Sequence, residues 1–283
     1  MTLIQSACCL KAIRHRWSTN VKDDRLLEIR KLLYADGTSS VQDIAAAVGA
    51  SVATVRRDLI MLEANGMISR TRGGAKIANS SGQEVAFTLR EQQMLAQKRA
   101  ISDLAFARLR PGSSVLMDAG TTVLQLARCI RLRPMPLSVF TNCIPVAQTL
   151  MDVPDVKITL LGGVVRSENA SMVGTLIERM LDELWFDQLF LGAGALADDC
   201  CIYTLDEAEA RLNARMIARS SERMLLIDST KFGHHLTYRV SPLRDTLSVI
   251  TDIGLPSEWR GRLADSEIDF ALAPLLENHQ GEG

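Results

Sequence analysis

The sequence has no run approaching the ~18 uninterrupted apolar residues that a membrane-spanning helix requires, which excludes a helical membrane protein. It also lacks any CxxC or CxxxxC pair. Its six cysteines fall as Cys8-Cys9, Cys129, Cys143 and Cys200-Cys201, a spacing that argues against a zinc site. Vicinal cysteines bridge only with strain, so the set reads as reduced, mostly buried thiols. His234-His235 has no carboxylate or cysteine at ligand spacing, so no metal is expected there. The N-terminus, MTLIQSACCLKAIRHRW, lacks the order of a secretory signal, because its basic residues follow the short apolar stretch. A cytoplasmic chain with no cofactor and no membrane contact is expected. Internal repeats and low-complexity tracts are absent as well.

What is present is enough chain for two domains: 283 residues, 47% of them apolar and 23% charged, a globular composition. The net charge of −1 hides an asymmetry. Residues 1–80 carry 12 Lys/Arg against 7 Asp/Glu, and residues 81–283 carry 20 against 26. A basic head on an acidic body suggests that the head meets a polyanion. The small, polar, aperiodic stretch at 78–86 reads as the linker between them.

Within the head, 22–77, the pattern is three helices and a hairpin. Asp23 or Asp24 is placed to cap a first helix with Leu26, Ile29 and Leu33 on one face, ended by Gly37. Ser40 with Asp43 looks like a capping-box variant opening a short helix that buries Ile44 and Val48. Gly49 breaks it. Ser51 then caps a third helix with Val52, Val55, Leu59 and Leu62 on its inner stripe, closed by Asn65-Gly66. MISRTR, Gly73-Gly74 and AKI follow as a two-stranded wing.

Two helices joined by a glycine turn, about 39–58, make a helix-turn-helix. The inner stripe turns Ala53, Thr54 and Arg57 outward. Ser51, Ala53 and Thr54 at the helix start allow close approach to base edges and phosphates. Arg56 and Arg57 reach guanine edges or phosphates. Arg70, Arg72 and Lys76 on the wing are expected on the backbone or in the minor groove.

The body reads as α/β. SSVLMDAG, LSVFTN, VKITLLGG, FDQLFLGAG, MLLIDST, SVITD and DFALA are apolar runs alternating with helical patterns, among them Thr122 to about Ile130 and Ile144 to Met151. That alternation implies a parallel sheet with its site at the carboxyl ends of the strands. Those ends carry Asp118, Gly120, Thr121 and Thr122, then Thr141 and Asn142, then Gly162 and Gly163, and lastly Asp228, Ser229 and Lys231. Glycine lets a backbone approach a ligand, free N–H groups at a helix start suit a phosphate, and a lysine supplies its counter-charge. In the helix after the fourth strand, Asp206 and Glu207 either complement the helix dipole or contact sugar hydroxyls. Trp185 and Phe186 belong to the core or to a subunit interface.

The string SVATVRRDLIMLEANGMISRTRGGA, residues 51–75, resembles the winged helix-turn-helix of the DeoR family of bacterial transcription regulators. The resemblance includes Arg56 to Leu59, Leu62-Glu63 and Arg70 to Ala75. It continues through Phe87, Arg90, Lys98, Pro111-Gly112, Asp118 to Thr122, Thr141-Asn142, Gly162-Gly163, Gly174 and Asp228 to Gly233. It implies an α/β effector-sensing domain over 87–275, similar in fold to ribose-5-phosphate isomerase. It further implies a regulator, as a repressor, of sugar or sugar-derivative genes, released from duplex operator DNA by a phosphorylated sugar and acting as a homo-oligomer, dimer or tetramer. Residues 1–21 then read as a disordered extension or an early start, and 276–283 as a tail. The competing reading is an isomerase-like enzyme with an appended helical head, for which Asp118 and Lys231 would be the base and charge stabiliser.

Overall fold

The computed structural model describes residues 21–36, 38–64, 68–71, 73–77, 87–243 and 247–275. The chain divides into two compact units, Met1–Gln83 and Glu84–Gly283. Expectations placed on 1–20, Gly37, Asn65-Gly66, Arg72, 78–86 and 276–283 lie outside the described residues.

In the first unit, α1 (Val21–Asp36), β1 (Thr38–Ser40), α2 (Val41–Ala47) and α3 (Val52–Ala64) precede β2 (Ile68–Thr71) and β3 (Gly74–Ile77). Ser40 opens α2 as expected: its Oγ accepts the Asp43 N–H at 3.1 Å and donates to the Asp43 carboxylate at 2.7 Å. The core is Ile29, Leu33, Val41, Ile44, Ala45, Val55, Leu59, Leu62, Ile68 and Ala75. Three details correct the sequence reading. The first helix starts at Val21, so Asp23 and Asp24 lie inside its first turn instead of capping it. Val52 has the stripe spacing but stands in the first turn of α3, outside the buried core, and is exposed. The wing has three strands, in the order β1-β3-β2, because Ser40 pairs with Gly74. A Cβ at position 74 would lie 2.2 Å from the Ser39 carbonyl oxygen, so the pairing requires glycine there.

The second unit begins with α4 (Phe87–Gln92) and α5 (Leu95–Phe106), then β4 (Ser114–Met117), α6 (Thr121–Leu132), β5 (Leu137–Thr141), α7 (Ile144–Leu150) and β6 (Val156–Leu160). A hairpin follows, β7 (Val164–Arg166) and β8 (Ser171–Val173), then α8 (Thr175–Asp182), β9 (Phe186–Leu191), β10 (Ala195–Leu196) and β11 (Cys201–Thr204). The remainder is α9 (Glu207–Ala218), β12 (Ser220–Leu226), a 3-10 turn at Ser229–Lys231, β13 (Tyr238–Pro242), β14 (Leu247–Asp252), α10 (Ser257–Asp265) and β15 (Phe270–Ala273).

Seven strands form one sheet in the order β15-β14-β12-β9-β4-β5-β6, every pairing parallel. All seven apolar runs expected from the sequence are in it. Alternate residues of each strand face opposite layers, as a period of two dictates. Val115 and Met117 join α5, α6 and α7 in one core, while Leu116, Leu189 and Leu191 join α8, α9 and α10 in the other. Phe186 belongs to the second core, whereas Trp185 is exposed and donates its indole N–H to the Ser221 hydroxyl at 2.8 Å. The chain winds from β4 outward to β6, then returns to the other side of β4 with β9 and winds outward to β15. The winding direction therefore reverses between β4 and β9, which opens a crevice at their carboxyl ends.

Candidate DNA-binding and effector sites

Ser51 opens α3 by accepting the Thr54 N–H at 3.1 Å, and the two hydroxyls share a hydrogen bond at 2.8 Å. With Val55 and Leu59 buried, Ala53, Arg56 and Arg57 are exposed and Thr54 half-buried. Asp58 does something the sequence did not signal. It is buried, and its carboxylate accepts Arg25 Nε at 2.7 Å and Nη2 at 3.3 Å. The pair raises the Arg25 pKa, chiefly through that hydrogen bond. In the triplet Arg56-Arg57-Asp58, two side chains thus face solvent while the third ties α3 to α1. On the wing, Arg70 lies in β2 opposite Ala75, and Lys76 lies in β3 opposite Ser69. Arg72 is outside the described residues.

In the second unit the crevice between β4 and β9 is narrow at its base. A Cβ on Gly120 would lie 3.2 Å from the Gly192 Cα, so both strand ends need glycine to come this close. Directly after Gly120, α6 starts without a side-chain cap, leaving its first N–H groups to a ligand or water. Thr121 and Thr122, in that first turn, are buried. Asp118, 4% exposed, accepts the Gly192 N–H at 3.1 Å. Burial, with the Glu209 charge adding to it, pushes its pKa up to about 7.

Cations gather opposite. Lys231, on the turn after β12, donates to the Ala193 carbonyl at 2.7 Å and stands 4.0 Å from the Asp228 carboxylate. Burial lowers its pKa, and Asp228 opposes that. Lys98 of α5 is 2% exposed and donates to the Arg90 carbonyl. Burial and the Lys231 charge hold its pKa down to about 7. Arg90 donates to the Asn169 amide oxygen. Arg166 of β7 donates to Glu209 at 2.6 Å and lies 3.5 Å from Asp206. Four cationic side chains from four different segments therefore surround a set of carboxylates at one end of the sheet. Burying a phosphate with its close to two negative charges needs cations and several donors, and a sugar's hydroxyls need acceptors. This end offers both.

A profile of the DeoR-like helix-turn-helix domain matches residues 25–81, and one of the DeoR C-terminal sensor domain matches residues 93–253. The chain belongs to the DeoR family. It is a DNA-binding transcription regulator, and its relatives bear regulators' names, not enzymes'. The HTH-type transcriptional regulator GlpR of Haloferax volcanii is 33% identical over 245 residues, covering 87% of this chain and 95% of that one. The lactose phosphotransferase system repressor of Staphylococcus aureus is 33% identical over 236 residues, covering 82% and 92%. Among solved structures, ribose 5-phosphate isomerase A of Methanocaldococcus jannaschii is 14% identical with a TM-score of 0.35, covering 48% of this chain and 53% of that one.

Within this DeoR sensor domain, Asp118, Gly120, Thr121, Thr122 and Lys231 come to one crevice. Asn142 directly follows β5, the strand paired with β4. Its Nδ2 donates to the Met172 carbonyl at 3.2 Å, and its Oδ1 is buried without a partner among the described residues. Other residues expected at the site have structural work. The Thr141 hydroxyl donates to the Met117 carbonyl at 2.6 Å and accepts the Cys143 N–H at 3.0 Å, fixing β5 to β4. Gly163 permits the hairpin: a Cβ there would lie 2.6 Å from the Val173 oxygen. At Gly162 an added Cβ would meet nothing within 4 Å, so no close approach requires glycine there. Asp206 caps α9 by accepting the Glu209 N–H at 2.8 Å, and exposed Glu207 pairs with Arg211 at 2.6 Å.

Sequence reasoning did not assign Arg90, Lys98, Arg166 or Glu209 to the site. A signal existed for Lys98. It precedes Ile101, Ser102 and Ala105 at spacings of three, four and seven, so it stands on the buried stripe of α5. A lysine there needs a partner or a ligand.

Proposed function

We propose that this regulator is a cytoplasmic repressor of sugar or sugar-derivative genes. It holds duplex operator DNA as a homo-oligomer through α3 and the wing, and it leaves the operator when a phosphorylated sugar occupies the crevice. Ser51, Ala53, Thr54, Arg56 and Arg57, with wing residues Arg70, Arg72 and Lys76, make the DNA contacts. Asp118, Gly120, Thr121, Thr122 and Asn142 hold the effector, with Lys231, Lys98 and Arg90 balancing its charge. The observation that carries this reading is the gathering of Lys231 and Arg90 about Asp118 and Glu209, with Lys98 beside Lys231, at the strand end that leads into the uncapped α6. The name of one relative, a lactose phosphotransferase system repressor, supports it. Thermal shift of the full chain against pentose and hexose phosphates and their unphosphorylated parents tests it. Stabilisation by a phosphorylated sugar only is expected; stabilisation by the free sugar alone would refute the phosphate site.

A further inference from the structure

The turn of the β7–β8 hairpin, residues 167–170, touches both the crevice and the first described segment after the DNA-binding unit. The Phe87 N–H, at the start of α4, donates to the Glu168 carbonyl at 2.8 Å. The Phe87 ring is buried in the core, and the Arg90 guanidinium packs over it at 5.9 Å. Next in the turn, Asn169 is 2% exposed and uses both ends of its amide. Its Oδ1 accepts from Arg90, and its Nδ2 donates to Glu209 Oε2 at 3.3 Å. Glu209 in turn holds Arg166 of the same hairpin at 2.6 Å. On its far side the hairpin is fixed to the sheet end: the Ile144 N–H donates to the Ala170 carbonyl at 3.0 Å, and the Met172 N–H donates to the Asn142 carbonyl at 2.9 Å. Ala170 adopts φ +48°, a left-handed conformation that alanine rarely takes.

We propose that Asn169 is the positioning residue through which occupancy of the crevice reaches the Phe87–Gln92 segment, and so the linker that precedes it. This rests on the effector reading above. An amide is one planar group with an acceptor and a donor at fixed separation. Asn169 therefore cannot keep both partners if either moves. An anion that draws Arg90 inward, or a sugar hydroxyl that takes up Glu209, unbalances it. The turn then re-seats, and the Glu168 carbonyl carries the Phe87 N–H with it. Effector and operator states differ in this latch, as coupling between two sites requires. An aspartate at 169 would lose the donor to Glu209 and add a like charge beside it. An alanine there would lose both contacts.

Hydrogen exchange of the full chain, read on peptides, tests this with an equimolar mixture of fructose 1-phosphate, galactose 6-phosphate and ribose 5-phosphate as the probe. In the wild type the probe should slow exchange at 229–233 and change it at 87–92. In Asn169→Ala, slowing at 229–233 should persist at probe concentrations within about threefold of wild type, while the change at 87–92 should fall at least fivefold. Asn169→Asp, which keeps an acceptor for Arg90, should show the same split and guards against a hairpin that fails to fold in the alanine variant. A full response at 87–92 in both variants would overturn the proposal, as would a wild type that responds at 229–233 alone. A wild type that responds at neither would overturn the effector reading and this proposal with it.

Discussion

Arg57 and Leu59 stand two positions apart on α3 and face opposite ways. Arg57→Ala should cost operator binding about 1–3 kcal/mol if the guanidinium makes a bidentate base contact, with an unchanged melting temperature. Leu59→Ala should cost about 2–5 kcal/mol of stability, because it empties a closed core position. Val52→Ala, by contrast, should change stability by less than about 0.5 kcal/mol, as exposed positions do. Denaturant titration and fluorescence anisotropy on the same variants separate the three. Lys98 gives a pH signature. Burial and the Lys231 charge hold its pKa down to about 7, against Asp228 and Glu91, which favour the charge, while Arg90 opposes it. The ligand-free fold bears the cost of that charge fully below pH 7 and loses the cost as pH rises toward the ordinary lysine value. A phosphate favours the ammonium, so binding above pH 7 must draw a proton onto Lys98. Effector affinity should weaken above about pH 7, by at most about tenfold per pH unit. It should weaken again below about pH 6, where the ester loses its second charge. Calorimetry at pH 8 in buffers of different ionisation enthalpy should show net proton uptake; none would remove Lys98 from the site.

Elements differ in how well the sequence announces them. The inner strands of the large sheet, β4, β9, β12 and β14, are largely buried, so they stand out as apolar runs, while the edge strands β6 and β15 are more exposed but still carry apolar runs. Strands such as β1, β7, β8 and β10 have two or three residues, too few for any period, and they were not anticipated. Their absence from the sequence reading hid part of the site. The hairpin brings in Arg166, and the α9 start that it meets brings in Glu209. The strand-end residues on long elements, Asp118 to Thr122 and Lys231, were legible because a glycine, a helix start and an apolar run mark their place. Thr141 and Gly163 looked the same in sequence, yet they close backbone contacts. The wing supplies a test at this scale. Gly74→Ala places a methyl against the Ser39 carbonyl, so β1 must separate from β3. We expect it to lower operator affinity at least tenfold while sugar-phosphate stabilisation of the chain stays. Unchanged operator affinity would mean that the third wing strand is dispensable.

At the scale of the molecule, one unit carries the helix-turn-helix and the other the charged crevice, and the proposed regulation requires that they exchange free energy. A ligand shifts the operator equilibrium only by its difference in affinity for the two states. In the function proposed above, the crevice anchors that difference on Lys231, whose ammonium lies against the Ala193 carbonyl just beyond β9. Removing it should leave DNA binding intact, since Lys231 has no place in the first unit. The decisive measurement is operator release: full-length wild type and Lys231→Ala on labelled operator, titrated with the sugar phosphate that stabilises the wild type most. The account expects equal operator affinity without effector, and release of the variant only at concentrations at least tenfold higher. Release of both at the same concentration would contradict it.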